Sequence, residues 1–266
     1  HVEYLSIHTY IGNQDGDTPS FLARPDDMSD FIAETVALCD AVAAKRKSRK
    51  RIMLSFDEWN VWYHSHNHPK PAPWSAAPHL LEDAYTFEDA LCVGGMLISL
   101  LEHADRVKIA CLAQVVNVIG AIMTEAGGPA WRQTIFHPFA MASKHGRGTV
   151  LRALVDSPRY DCRAREEVPV LKLVAVHRPE AGELSLLCLN RSLTEPVTMS
   201  VDLRSFGALQ VGEWQVLQHA DLKAMNTKEA PATVAPGAAT GARVEGGKLG
   251  VTLPAASWNV LVLREA

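Results

Sequence analysis

The sequence is short of every feature that would staple a small fold, span a bilayer or grip a polyanion. Its five cysteines (Cys39, Cys92, Cys111, Cys162 and Cys188) are odd in number and widely spaced, with no Cys-x-x-Cys pair. That excludes a disulfide framework or a zinc finger and points to reduced, mostly buried thiols of a cytoplasmic chain. The longest apolar run, Ala90 to Leu101, is 12 residues and is broken by Gly94, Gly95 and Ser99, too short to cross a membrane. Basic charge is not in excess: 26 Lys and Arg stand against 30 Asp and Glu, a net charge of −4, which argues against nucleic acid as a partner. The one basic run, Lys45 to Arg51, reads as a solvated helix end. No charged leader precedes the first apolar segment, which opens at His1 as a strand inside a protein would. With 47% hydrophobic and 21% charged residues in 266, disorder, collagen and coiled coil are excluded and a globular core is expected.

Two textures divide the chain. Up to residue 146, short β-rich runs alternate with helical ones, the mark of βα units on a parallel sheet. Strands are expected at Val2–Tyr10, Ile52–Trp59 and Val107–Val116. Helices are expected after Asp26 or Ser29 with Phe31, Ile32, Thr35, Val36, Leu38, Cys39 and Val42 inward, from a Thr86 cap through Leu101, and at Trp131–Lys144. Glu88 and Asp89 fall in the first turn of the second helix, where its dipole favours them. From residue 147 to 266 only short alternating strands remain, among them Val170–His177, Leu184–Asn190, Val197–Val201, Glu213–Leu217 and Trp258–Leu263. They predict an antiparallel β-sandwich with a low-complexity surface loop at Ala230–Ala242. Three βα units leave a parallel sheet with an open edge, so an upstream remainder of the α/β domain is expected.

Polar residues gather at the C-terminal strand ends, the face where parallel α/β folds place active sites. The second strand ends in Asp57-Glu58-Trp59-Asn60-Val61-Trp62-Tyr63-His64. A carboxylate beside tryptophans suits a sugar site: aromatic faces stack on the ring while the carboxylate meets the anomeric carbon. The alternative is a carboxylate that pairs with a neighbouring Arg or caps a turn. Alternation places Ser6, His8 and Tyr10 on one face of the first strand. Gln114 follows Ala110 and Leu112 on one face of the third, which Asn117 closes. The loop bearing His64, His66, His68 and His79 is proline-rich and has no acidic or Cys partner in its sequence, so no metal is expected there.

Four segments, VEYLSIHTY, RIMLSFDEWNVWYH, LAQVVNVIGAIMTE and WRQTIFHPF, in this order and spacing, closely resemble the C-terminal part of the α-L-arabinofuranosidases of glycoside hydrolase family 51. The resemblance implies strands six to eight of a (β/α)8 barrel, followed by a jelly-roll β-sandwich. It assigns Glu58 as nucleophile, His8 and Tyr10 as pocket residues, Trp62 as the aromatic wall and Gln114 as a residue near the sugar. It implies a retaining exo-acting hydrolase of terminal α-L-arabinofuranosyl groups with no cofactor, and a homo-oligomer, often a hexamer in the family. The family's acid/base Glu, in an Asn-Glu dipeptide, has no counterpart: Glu3 is the only acidic residue before His8. The alternatives are another retaining barrel glycosidase, such as a xylosidase or endoglucanase, and a non-catalytic carbohydrate-binding or assembly module.

Overall fold

A computed structural model describes residues 2–67, 69–79 and 81–266. The first five elements are β1 (Tyr4–Ile11), α1 (Thr18–Lys45), β2 (Met53–Val61), α2 (Phe87–Glu102) and β3 (Val107–Leu112). Their strands form a parallel sheet in the order β1-β2-β3, as the alternating texture predicts.

Helix α1 starts eight residues before the expected Asp26. Its N-cap is Asp17, whose carboxylate accepts from the Ser20 amide at 3.2 Å, with proline in the first turn, a position that suits its missing N–H. Pro25 lies inside the helix. It cannot donate to the Phe21 carbonyl four residues back, and the Cys92 thiol takes that oxygen instead at 3.8 Å. Asp26 is therefore no cap; it accepts from Lys172 at 2.9 Å and Arg191 at 2.7 Å. Ile32 and Thr35 point inward, whereas Phe31, Leu38 and Val42 are exposed.

Helix α2 begins after Thr86 with a capping box closed by Asp89, as the sequence predicts. Every residue from Phe87 to Leu100 is buried, the signature of a helix packed on all sides. After β3 the chain forms a hairpin, β4 (Ile122–Thr124) and β5 (Ala130–Arg132), before α3 (Phe136–His145). Trp131 is thus not helical: it pairs with Met123 across a turn at Gly127 and Gly128, residues that favour a turn over a helix start.

The remaining strands are β6 (Thr149–Leu151), β7 (Arg159–Tyr160), β8 (Val168–Pro169), β9 (Leu171–Arg178), β10 (Glu183–Asn190), β11 (Val197–Asp202), β12 (Leu209–Gln218), β13 (Gly237–Ala238), β14 (Arg243–Glu245), β15 (Lys248–Leu253) and β16 (Ser257–Glu265). A six-stranded sheet runs β13-β12-β16-β10-β9-β6, and a three-stranded sheet runs β11-β15-β14. Side chains alternate between two cores. Leu173, Leu186, Leu261 and Leu263 face the core shared with Met199 and Val251 of the smaller sheet. Val174, Val176, Leu187, Leu189, Trp258, Val260 and Val262 belong to the core built around α2. The expected surface loop 230–242 is anchored by wholly buried Val234, whose N–H and C=O both bond Asn226.

The thiols are less buried than expected: only Cys92 and Cys188 are buried, Cys39 and Cys162 are intermediate and Cys111 is exposed. No described helix is long and apolar enough to cross a membrane.

Candidate active site

The site is made by an irregularity in β2. Ser6 of β1 lies opposite Ser55, but His8 lies opposite Glu58, so two steps on β1 match three on β2. An extra residue of this kind re-aims side chains that would otherwise alternate between faces. Here Asp57 and Glu58, adjacent in sequence, both reach the His8 imidazole: Asp57 Oδ1 is 3.2 Å from Nε2 and Glu58 Oε2 is 3.2 Å from Nδ1.

The second oxygen of Glu58 is also engaged. The Tyr10 hydroxyl donates to Oε1 at 2.5 Å. Burial first, then the bond to Glu58 and its charge, push the Tyr10 phenol far above its ordinary range, so it stays a donor. Ser6 donates to Asp57 Oδ1 at 2.8 Å and holds the Asp57 carboxyl below its usual range, a shift that His8 reinforces. The side chains of His8, Asp57 and Glu58 remain 50%, 41% and 43% exposed, so a ligand can reach both carboxylates.

Trp62 meets Tyr10 edge to face, with ring centroids 5.1 Å apart, and its indole N–H donates to Ser65 Oγ at 3.0 Å. The turn beneath is held by Asp83, wholly buried, which accepts from the backbone amides of Tyr63, His64 and Ser65 at 3.2, 3.0 and 2.7 Å. His64 pairs with Asp89 at 2.8 Å. Burial opposes charge on His64, but the Asp89 bond and carboxylate outweigh it and raise its pKa. Glu88, also wholly buried, accepts from Asn13 at 3.2 Å, from Thr18 at 2.7 Å and from Lys223. The α2 amides of Phe87 and Glu88 bond the carbonyls of Ala224 and Leu222, so a loop after β12 caps the helix and satisfies its free N–H groups.

The structure thus brings Glu58, His8, Tyr10 and Trp62 together. Gln114 is not on a strand, because β3 stops at Leu112. Its amide turns back to Ile119 O at 3.2 Å, and its side chain is exposed. That loop is tied to β2 by Asn60, whose Nδ2 donates to the carbonyls of Ala113 and Ile119 at 2.7 and 2.8 Å. Trp59 is no sugar platform: it is wholly buried and stacks near Phe139.

Sequence reasoning missed Asp83 and saw Glu88 and Asp89 only as cap residues. The signal available was their spacing, three carboxylates within seven residues just after the histidine loop. That loop does have an acidic partner, Asp89, supplied by α2; His68 lies outside the described residues. Among the described residues no group of three or more His, Cys, Asp and Glu could hold a metal ion.

Residues 57–257 match the family model described as the α-L-arabinofuranosidase C-terminal domain. The chain is 50% identical, over 99% of its length, to an intracellular exo-α-(1→5)-L-arabinofuranosidase of Halalkalibacterium halodurans, of which it covers 52%. It is 47% identical, over its full length, to exo-α-(1→5)-L-arabinofuranosidase 1 of Bacillus subtilis, also named intracellular, of which it covers 53%. Its backbone superposes with a TM-score of 0.90 on a family 51 α-L-arabinofuranosidase from Bifidobacterium longum at 38% identity, covering 99% of this chain and 53% of that one. The chain therefore spans about half the length of the curated relatives it matches. It belongs to the α-L-arabinofuranosidase C-terminal domain family, as a C-terminal part of the glycoside hydrolase family 51 type.

Proposed function

We propose that this chain is the nucleophile-bearing part of a retaining α-L-arabinofuranosidase that removes terminal arabinofuranosyl residues from oligo- and polysaccharides. The observation that carries the reading is Glu58: a carboxylate at the C-terminal end of a parallel strand, both oxygens oriented by β1, and open to a ligand. In this reading residues 1–146 are strands six to eight of a (β/α)8 barrel with their helices, and residues 147–266 are its jelly-roll domain.

In the first half-reaction Glu58 attacks the anomeric carbon, and a carboxylic acid outside this chain protonates the departing glycosidic oxygen. In the second, water attacks the same carbon, that partner takes the water's proton, and the bond to Glu58 breaks with its electron pair returning to the carboxylate. Two inversions retain configuration. Glu3 does not serve as the acid, since it pairs with Lys50 at the opposite end of the strands. Tyr10 and His8 fix the carboxylate and Trp62 walls the sugar; the resemblance also assigns Gln114, on the loop after β3, a place near the sugar. No step calls for a metal or organic cofactor. The relatives' names support a cytoplasmic location, and the resemblance supports a homo-oligomer.

The test is turnover by the full-length protein carrying this chain. An aryl α-L-arabinofuranoside should be hydrolysed much faster than the matching xyloside, and Glu58→Ala should abolish that turnover with an unchanged circular dichroism spectrum. Preference for the xyloside, or an active alanine variant, contradicts the reading.

A further inference from the structure

We infer that Asp57 is a positioning residue for the second half-reaction, acting through His8 on the departure of the Glu58 carboxylate; the inference rests on the proposed hydrolase reading. Its basis is the displaced register that turns two adjacent carboxylates onto one imidazole. His8 has a carboxylate oxygen 3.2 Å from each ring nitrogen, Asp57 at Nε2 and Glu58 at Nδ1. An imidazole donates to both only when both nitrogens carry protons. Among the described residues the titratable groups facing it are these two from β2, with Tyr10 of its own strand joined to Glu58. Ser6 donates to Asp57 Oδ1 at 2.8 Å and lies 3.1 Å from His8 Nε2, so the anion is fixed on the far side of the ring from Glu58.

The charge balance differs between the two halves of the reaction. Before attack, the ring stands between two carboxylates. Once Glu58 is esterified, its charge is gone and Asp57 is the carboxylate that still holds the ring, through Nε2. When water then attacks the anomeric carbon, the C–O bond to Glu58 breaks and negative charge develops on the carboxylate oxygens. A ring nitrogen held 3.2 Å from Oε2 lies where that charge appears, and a proton on it stabilises the charge. In the first half-reaction the same donor restrains the attacking electron pair, so weakening it carries little cost there.

The test uses the full-length protein and an aryl α-L-arabinofuranoside with a good leaving group, for which kcat reports hydrolysis of the glycosyl-enzyme and kcat/KM reports its formation. In Asp57→Asn, kcat should fall roughly tenfold, less than for a sealed oxyanion site because this one is half exposed. KM should fall in parallel, leaving kcat/KM within about twofold. A burst of released phenol should appear, and intact-protein mass spectrometry should find the pentosyl adduct accumulating. Asp57→Glu, which keeps the charge, should recover part of kcat. Equal losses in kcat and kcat/KM, wild-type kinetics in Asp57→Asn, or no advantage of Glu over Asn would overturn the inference. A wild-type protein that turns nothing over, or an active Glu58→Ala variant, would defeat the hydrolase reading itself; an active wild type with uniform losses in Asp57→Asn defeats only the role of Asp57.

Discussion

The Tyr10 hydroxyl of β1 donates to Glu58 Oε1 of β2 at 2.5 Å, across a parallel pair whose register shifts just before His8 and Glu58 meet. The carboxylate is thus aimed by its neighbour strand, and that dependence can be measured. Tyr10→Phe removes one charge-assisted hydrogen bond, worth about 1.5–3 kcal/mol. The full-length protein should lose about 10- to 100-fold in kcat, because the charge that returns to Glu58 in the second half-reaction no longer meets this donor. Its melting temperature should fall by only a few degrees because the ring still packs on Trp62. Undiminished activity would mean that Tyr10 does not orient Glu58.

The His64–Asp89 pair gives stability a defined pH dependence. Its folded-state pKa is raised above the ordinary 6.5, so folding favours the protonated form. The stabilisation is fully present below pH 6.5 and declines as pH rises through the raised value. Thermal melting from pH 6 to 9 should record that decline in the wild type, and Asp89→Asn should flatten this component. Identical pH profiles for the two proteins would remove the pair from the account.

Close packing of α2 predicts the effect of one methyl group. A Cβ on Gly94 would stand 2.6 Å from Trp258 Cε3 and one on Gly95 2.7 Å from Pro25 Cγ, so α2 touches both the six-stranded sheet and α1 through glycine. Gly94→Ala gains up to about 1 kcal/mol of helix propensity, but overpacking against the wholly buried Trp258 ring costs about 1–3 kcal/mol. Net destabilisation is expected, read as a lower urea midpoint. A raised midpoint would show that the interface can relax.

How much of this could be read from the sequence depended on whether the cause was local. Alternation put His8 and Tyr10 on the same face of β1, and the Thr86 cap fixed the start of α2; both are set by neighbouring residues. Asp26 or Ser29 suits a helix start locally, whereas Asp17 caps α1 and Cys92, 71 residues from Phe21, takes the Phe21 carbonyl that Pro25 leaves free. The apolar neighbours of Gln114 suit a strand, but Asn60, a residue of β2, holds the loop that ends it. The meeting of Asp57 and Glu58 at one imidazole rests on a register shift between strands, and no periodicity within one strand encodes that. The burial of Glu88 and Asp89 likewise depends on partners in the turn after β2, in α1 and in the loop after β12.

The central claim, that Glu58 is the nucleophile, is tested most directly by trapping the intermediate. The full-length protein, treated with an activated 2-deoxy-2-fluoro-arabinofuranosyl reagent, should lose activity as one sugar becomes attached. Peptide mapping by mass spectrometry should place that sugar on Glu58, and the wild-type product should keep its anomeric configuration by proton NMR. A sugar on any other residue, or an inverted product with no adduct, would contradict the account.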